Sequence, residues 1–309
     1  MEQPKSISIQ ELAGATRMAC KILGTAERRV SSVARIHEAD RMSVTFCNNK
    51  ATEGLDTVIN SEAGVVICYD DLQFNEKDFH DKTIILVADP TLAFTRIMRK
   101  FFTPADNRHG ISDKAVVSEG AEVHPSAYIG PNSYIGKCKI GENTMIDGNV
   151  YIYPGAIIGT NVIIHAGAVI GAEGMGFHRN ERGELEQFPQ EGGVIIEDDV
   201  EIGANSAVMR PAMGHTIIGR GTKIGHLCTI GHQVTIGKHC IIVTQSVIGG
   251  NTQIGDHCYI ALGSCIRNGV AIGNNVVVGM GSVVTKDVAA GKIVIGVPAK
   301  EQGETKERW

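Results

Sequence analysis

The chain has 309 residues, with 29 Lys and Arg against 34 Asp and Glu and a formal net charge of −5. That near balance, with no basic block, argues against nucleic acid or an anionic membrane as the main partner, and 43% apolar residues argue against a disordered chain. No apolar run approaches the roughly 20 residues of a membrane span, whereas 37 glycines among 309 residues point to a repeat.

Residues 1–112 carry no period. The first ten are polar and lack the apolar stretch of a secretory signal. Residues 7–23 read as a helix, 44–46, 65–68 and 84–87 as short buried strands, and 92–102 as a second helix. Residues 104–110 read as a linker. The expectation is a small α/β domain.

Beyond it an aliphatic residue returns every six positions. The ladder runs Val117, Val123, Ile129, Ile135 and, after one five-residue step, Ile140, Ile146, Ile152, Ile158, Ile164, Ile170. It resumes at Ile218 and continues through Ile224, Ile230, Ile236, Ile242, Ile248, Ile254, Ile260, Ile266 and Ile272 to Val278 and Val284. Six is neither a helical nor a strand period. It fits short strands, each ending in a glycine-assisted turn, that wind into a parallel β-helix. The fold class is therefore α+β: a small α/β domain (1–112), a hexapeptide β-helix (113–289) with loops inserted at 171–193 and 209–217, and a polar tail (290–309). Insertions in solenoids commonly lie on the binding face. Three flat faces per coil make packing of three prisms about an axis a natural closed assembly, so a homotrimer is expected.

Aliphatic residues fill such a coil, so chemistry must use its corners. His226 and His232 each lie two places after a ladder isoleucine and should point outward. An imidazole is suited to general-base work near neutral pH. Gly250 follows His232 by 18 residues, one full coil, and should sit directly above it, where its N–H can serve as an oxyanion donor. A zinc site would want a third, convergent histidine, and none is spaced for it, so no metal is expected. The eight cysteines include no C-x-x-C pair and read as reduced thiols of a cytoplasmic protein.

Four stretches carry a resemblance. They are residues 10–13 (QELA); 43–46 (SVTF) with Asn48 and Asn49; 170–177 (IGAEGMGF) continuing to 188–190 (FPQ); and 230–237 (IGHQVTIG). The chain resembles the left-handed β-helix acyltransferases, and within them the UDP-3-O-(3-hydroxyacyl)glucosamine N-acyltransferases of the lipid A pathway. The resemblance implies a left-handed coil and His232 as the catalytic base, with Gly250 as oxyanion donor. It further implies Phe46 and Asn49 as nucleotide contacts, and Glu173, Phe177, Gln190 and His226 as substrate contacts. The family usually has Asp-Asn where this chain has Gly225-His226, so the acidic neighbour of the base is missing, and His226 or Glu173 is expected to replace it. A second family histidine falls at Gly269, the uridine-contacting tyrosine falls near Thr52, and Asp-Arg-Gly has become Met209-Arg210-Pro211.

The lipid A enzyme ends in helices that dock acyl carrier protein, and residues 286–309 read as helix-free. Residues 281–288 and 296–300 resemble instead the ending of CoA-dependent sugar acyltransferases. Lys286, Lys292 and Lys300 are then expected near the phosphates of an acyl-CoA, favoured over acyl carrier protein as thioester co-substrate. No permanently bound cofactor is implied. The implied reaction is transfer of an acyl group, 3-hydroxyacyl by the resemblance, to the amine of a nucleotide-linked amino sugar, for lipid A or for a surface polysaccharide such as O-antigen. Sugar O-acylation, a γ-carbonic-anhydrase-like hydratase and a non-enzymatic assembly module are the alternatives.

Overall fold

The computed structural model of the chain describes residues 6–79 and 81–305. Contacts divide it into two compact units, Met1–Asn107 and Arg108–Trp309.

The first unit is built on a five-stranded sheet in the order Cys20–Gly24, Thr83–Val87, Val65–Tyr69, Ser43–Phe46, Ser32–Val33. The outermost pair, Cys20–Gly24 with Thr83–Val87, is antiparallel, and the other pairs are parallel. Helices α1 (Ile9–Thr16), α2 (Ala51–Asn60) and α3 (Pro90–Ile97) accompany it. Ser8 starts α1 through a capping box with Glu11, and Arg17 stops it in the left-handed region at φ 52°. The helix expected over 7–23 is thus cut in half, because the second half gains a full ladder of hydrogen bonds as a sheet edge. The helix expected over 92–102 is α3, capped by Asp89, followed by a π-helical turn Met98–Phe102. Helix α2 was not expected, and its N-cap Lys50 supplies no side-chain cap from which to read it. Ile9 and Leu12 of α1 and Ala93 and Ile97 of α3 close one core against Val44, Val65, Ile67, Ile85 and Val87.

The second unit is a parallel β-helix of three faces. The first face begins with Gly110–Ile111, the second with Val116–Val117 and the third with Glu122–Val123. Each strand pairs in register with its equivalent one coil on, as Thr229–Ile230 does with Val247–Ile248. From Ile129 to Val284 the ladder residues are 0–3% exposed and stack into one core. Burying each such isoleucine is worth about 1.5–3 kcal/mol.

Three details differ from expectation. Ile111 is the first rung, paired beside Ile129, so the coil starts inside the stretch read as linker and small domain. The segment read as a polar tail is, up to Thr305, more β-structure: Lys292–Ile295 pairs parallel with Val277–Val278, and Lys300–Glu304 pairs antiparallel with it. Except for Gly171, which bulges the strand at φ 85°, the glycines after ladder residues do not turn the chain. A β-carbon on Gly231 would lie 2.6 Å from the Gly250 nitrogen, so glycine is there because the next coil passes in contact. The left-handed turn residue comes two places later and is often Asn or Gly, with Gln233, His239 and Leu227 among the others.

Candidate active site

Both inserted loops leave the coil at one corner. The first separates the second-face strand Val169–Glu173 from the third-face strand Gly193–Ile196, and the second separates Ala207–Arg210 from His215–Ile218. His232 lies at the same corner one coil further on, between Thr229–Ile230 and Thr235–Ile236. Thr216 ties the second loop to it, its hydroxyl donating to the Met209 carbonyl and accepting from the Gln233 amide.

The half-buried His232 side chain lies close to two glycines. A β-carbon on Gly250 would lie 2.6 Å from Nε2, 2.8 Å from Cε1 and 2.9 Å from Cδ2, so the imidazole lies flat against that glycine. A β-carbon on Gly174, from the first loop, would lie 2.7 Å from His232 Cβ and 3.0 Å from Cδ2. The coil arithmetic that set Gly250 beside His232 thus matches the geometry. Elsewhere the equivalent corner amides are capped by the next coil, as Lys238 is by Asp256 and Asp256 by Asn274. Among the described residues the Gly250 N–H donates to no acceptor.

Two residues of the first inserted loop were expected to contact substrate. Gln190 is 4% exposed; its Nε2 donates to the Phe188 carbonyl at 3.0 Å, and its Oε1 is buried without a partner. Glu173 faces Arg210 across the paired strands; its Oε1 accepts from Arg210 Nη2 at 2.9 Å and its Oε2 from Gln187. That engagement keeps Glu173 from replacing the missing acid. Phe177, in the loop hairpin, is 46% exposed.

The model of the bacterial transferase hexapeptide (six repeats) family matches residues 137–172 and 215–250, and that of the hexapeptide repeat of succinyl-transferase matches 251–286. A UDP-3-O-acylglucosamine N-acyltransferase of Anaeromyxobacter sp. (strain Fw109-5) is 34% identical over 275 residues, 80% of this chain and 75% of that protein. Its counterpart in Anaeromyxobacter dehalogenans is 32% identical over 80% and 74%. The chain belongs to the UDP-3-O-acylglucosamine N-acyltransferase family. It is an acyltransferase, and its coil is the left-handed β-helix of that class. Among solved structures, the UDP-N-acetylglucosamine O-acyltransferase of Moraxella catarrhalis is 26% identical with a TM-score of 0.56, covering 63% of this chain and 75% of that one. The UDP-N-acetylglucosamine acyltransferase of Francisella novicida, also 26% identical, has a TM-score of 0.57 over 63% and 70%.

Within this acyltransferase family member, His226 stands apart from His232. It lies at the corner between the first and second faces, where its Nδ1 accepts the Ala204 amide at 2.8 Å and its ring meets that of His165 edge-on. His165, which the sequence reading passed over, is bound at Nδ1 by Asp147 (3.1 Å) and at Nε2 by Glu201 (3.0 Å). Partial burial works against its charge, but the two carboxylates outweigh it and hold the pKa above the ordinary histidine value. Asp147 is one coil before His165, so the 18-residue arithmetic could have found this pair.

The lysines expected to hold a donor divide. Lys292 lies between Glu301 (2.9 Å) and Glu304 (2.8 Å); their hydrogen bonds hold its pKa up and neutralise it, which corrects the expectation of a free cation there. Lys286 lines a cleft of about 180 Å³ with Asp287 and Glu301, and Lys300 is exposed on the last strand. In the first unit Phe46 stacks on Phe94 at 4.7 Å and lines an apolar groove of about 370 Å³ with Arg35, Ile36 and Met98. Asn49 is exposed and is not part of that groove.

Proposed function

We propose that this enzyme moves a 3-hydroxyacyl group from a thioester to the amine of a nucleotide-linked amino sugar. The supporting observation is the His232 ring lying flat against Gly250, whose amide hydrogen is uncapped. The neutral amine attacks the thioester carbonyl while His232 accepts its proton. The Gly250 N–H holds the developing oxyanion, the carbon–sulfur bond breaks and the proton passes to the leaving thiolate. One positioned base contributes typically 10²–10⁴-fold and one oxyanion donor about 10²–10³. The names of the two Anaeromyxobacter relatives support the N-acyl acceptor.

The first unit supplies nucleotide recognition through the Phe46 groove and Asn49. The donor is acyl-CoA ahead of acyl carrier protein, with Lys286 and Lys300 as its cations. The assembly is a homotrimer, because the outward residues of the second face, among them Val116, Tyr134, Tyr151, Val169, Val247 and Val283, carry no charge, and Val116 is 58% exposed. The test of the reading is His232→Ala, which should keep the native sedimentation and lower kcat by roughly two decades or more. Turnover near wild type would remove His232 from the role.

A further inference from the structure

A histidine base works only if one ring nitrogen is free for the proton and the other is held as a donor, which fixes the tautomer. The acids that could hold His232 are otherwise engaged or absent. Position 225 is glycine, Glu173 is bound to Arg210 and Gln187, and His226 occupies a different corner. Among the described residues neither ring nitrogen of His232 makes a hydrogen bond.

Beside this unpaired ring lies an unpaired acceptor, Gln190 Oε1. Its identity is fixed: the other end of the amide faces the Phe188 carbonyl, which demands a donor, so the oxygen must point away from it. The point where a β-carbon of Gly174 would sit is 3.0 Å from Gln190 Oε1 and 3.0 Å from His232 Cδ2. Both groups therefore border the one space that the missing β-carbon of Gly174 leaves open. A half-turn of the imidazole about Cβ–Cγ exchanges Cδ2 with Nδ1 and Cε1 with Nε2. It keeps the ring in its plane against Gly250 and puts Nδ1 where Cδ2 stands, bordering the same space as Gln190 Oε1.

We propose that Gln190 is the positioning residue of the base: its Oε1 accepts a hydrogen bond from His232 Nδ1–H and leaves Nε2 to take the substrate's proton. The proposal rests on the reading of His232 as the base. A neutral amide here replaces the carboxylate that orients many catalytic histidines. Burial strengthens this bond, because an acceptor cut off from water has no other partner. The titratable groups around the ring leave it little net field. Glu173 and Arg210 pair with each other on the loop side, and Gly249, Gly250 and Asn251 on the coil above carry none.

The experiment uses the full chain with ¹⁵N-labelled histidine, comparing wild type, Gln190→Leu and Gln190→Glu; His232→Ala assigns the signal. At neutral pH the wild-type His232 should show a protonated Nδ1 and a bare Nε2. Gln190→Leu should lose that single tautomer and lower kcat by tenfold or more with KM unchanged. Gln190→Glu, which retains an acceptor oxygen in either ionisation state, should keep the tautomer and recover most of kcat. A wild-type ring bare at Nδ1, or a Gln190→Leu enzyme that keeps both tautomer and kcat, would overturn the proposal. An active His232→Ala enzyme would overturn the base assignment instead, and the wild-type spectrum would still decide the Gln190 bond.

Discussion

Replacing Gly250 by alanine adds one methyl group against the face of the His232 imidazole. The backbone at Gly250 is not in the left-handed region, so alanine brings no conformational strain. The methyl, however, would lie 2.6 Å from His232 Nε2, where an ordinary contact begins at 3.4 Å. The ring has to give way, because the clash is with the imidazole itself and not with the far end of a flexible side chain. It must swing, and a misplacement of about 1 Å at a reacting atom costs on the order of 10²-fold. Gly250→Ala keeps its backbone N–H, so the loss would report the displaced base and not a missing oxyanion donor. The assay is steady-state kcat with a thioester donor, alongside thermal melting, with Gly14→Ala in α1, where a methyl meets nothing within 4 Å, as control. A Gly250→Ala enzyme with an unchanged melt and kcat within twofold of wild type would refute the claim that the ring is pinned.

Other outcomes follow from the same geometry. His165 has a raised pKa in the folded chain, so its contribution to stability is complete below the ordinary histidine value, near pH 6.5, and fades as pH rises through the folded value. Melting temperature should therefore fall more steeply between about pH 6 and about pH 8.5 in wild type than in His165→Asn, and parallel slopes would exclude the linkage. Asn49→Ala should raise KM for the nucleotide sugar several-fold while kcat stays level, as when uniform binding is lost; an unchanged KM would give the first unit another task. With matched hydroxyacyl groups, kcat/KM should favour the CoA thioester and depend weakly on salt. A carrier-protein thioester preferred tenfold would reassign the donor, since binding of an acidic carrier weakens sharply as salt screens it.

How much of this was legible follows from where the period holds. Inside the ladder, position fixes depth and face, so the core and the pairing of His232 with Gly250 could be counted out in advance. Gly174 and Gln190 reach the same ring through a loop that obeys no period, and only folding brings them there. The role of the ladder glycines was misjudged for a related reason: contact with the next coil is a long-range fact that a local glycine does not reveal. In the first unit, residues 20–23 continue an apolar pattern compatible with helix, and only the partner strand Thr83–Val87 decides for sheet. The polar composition of the last residues hid the strand Lys300–Glu304, which gains its order by pairing with Lys292–Ile295 rather than by burial.

One regularity in the coil has a practical side. The short step from Ile135 to Ile140, the long ones from Ile170 to Ile196 and from Val208 to Ile218, and the short one from Val284 to Val288 all fall at the turn from the second face to the third. The other two edges of the prism keep the six-residue step from Ile111 to Val284, because a residue gained or lost there would rotate every later side chain out of its stack. Length variation is thus confined to one seam, and His232 lies on that seam. Whole loops at 171–193 or 209–217 can therefore be exchanged with the remaining coils serving as an unedited frame.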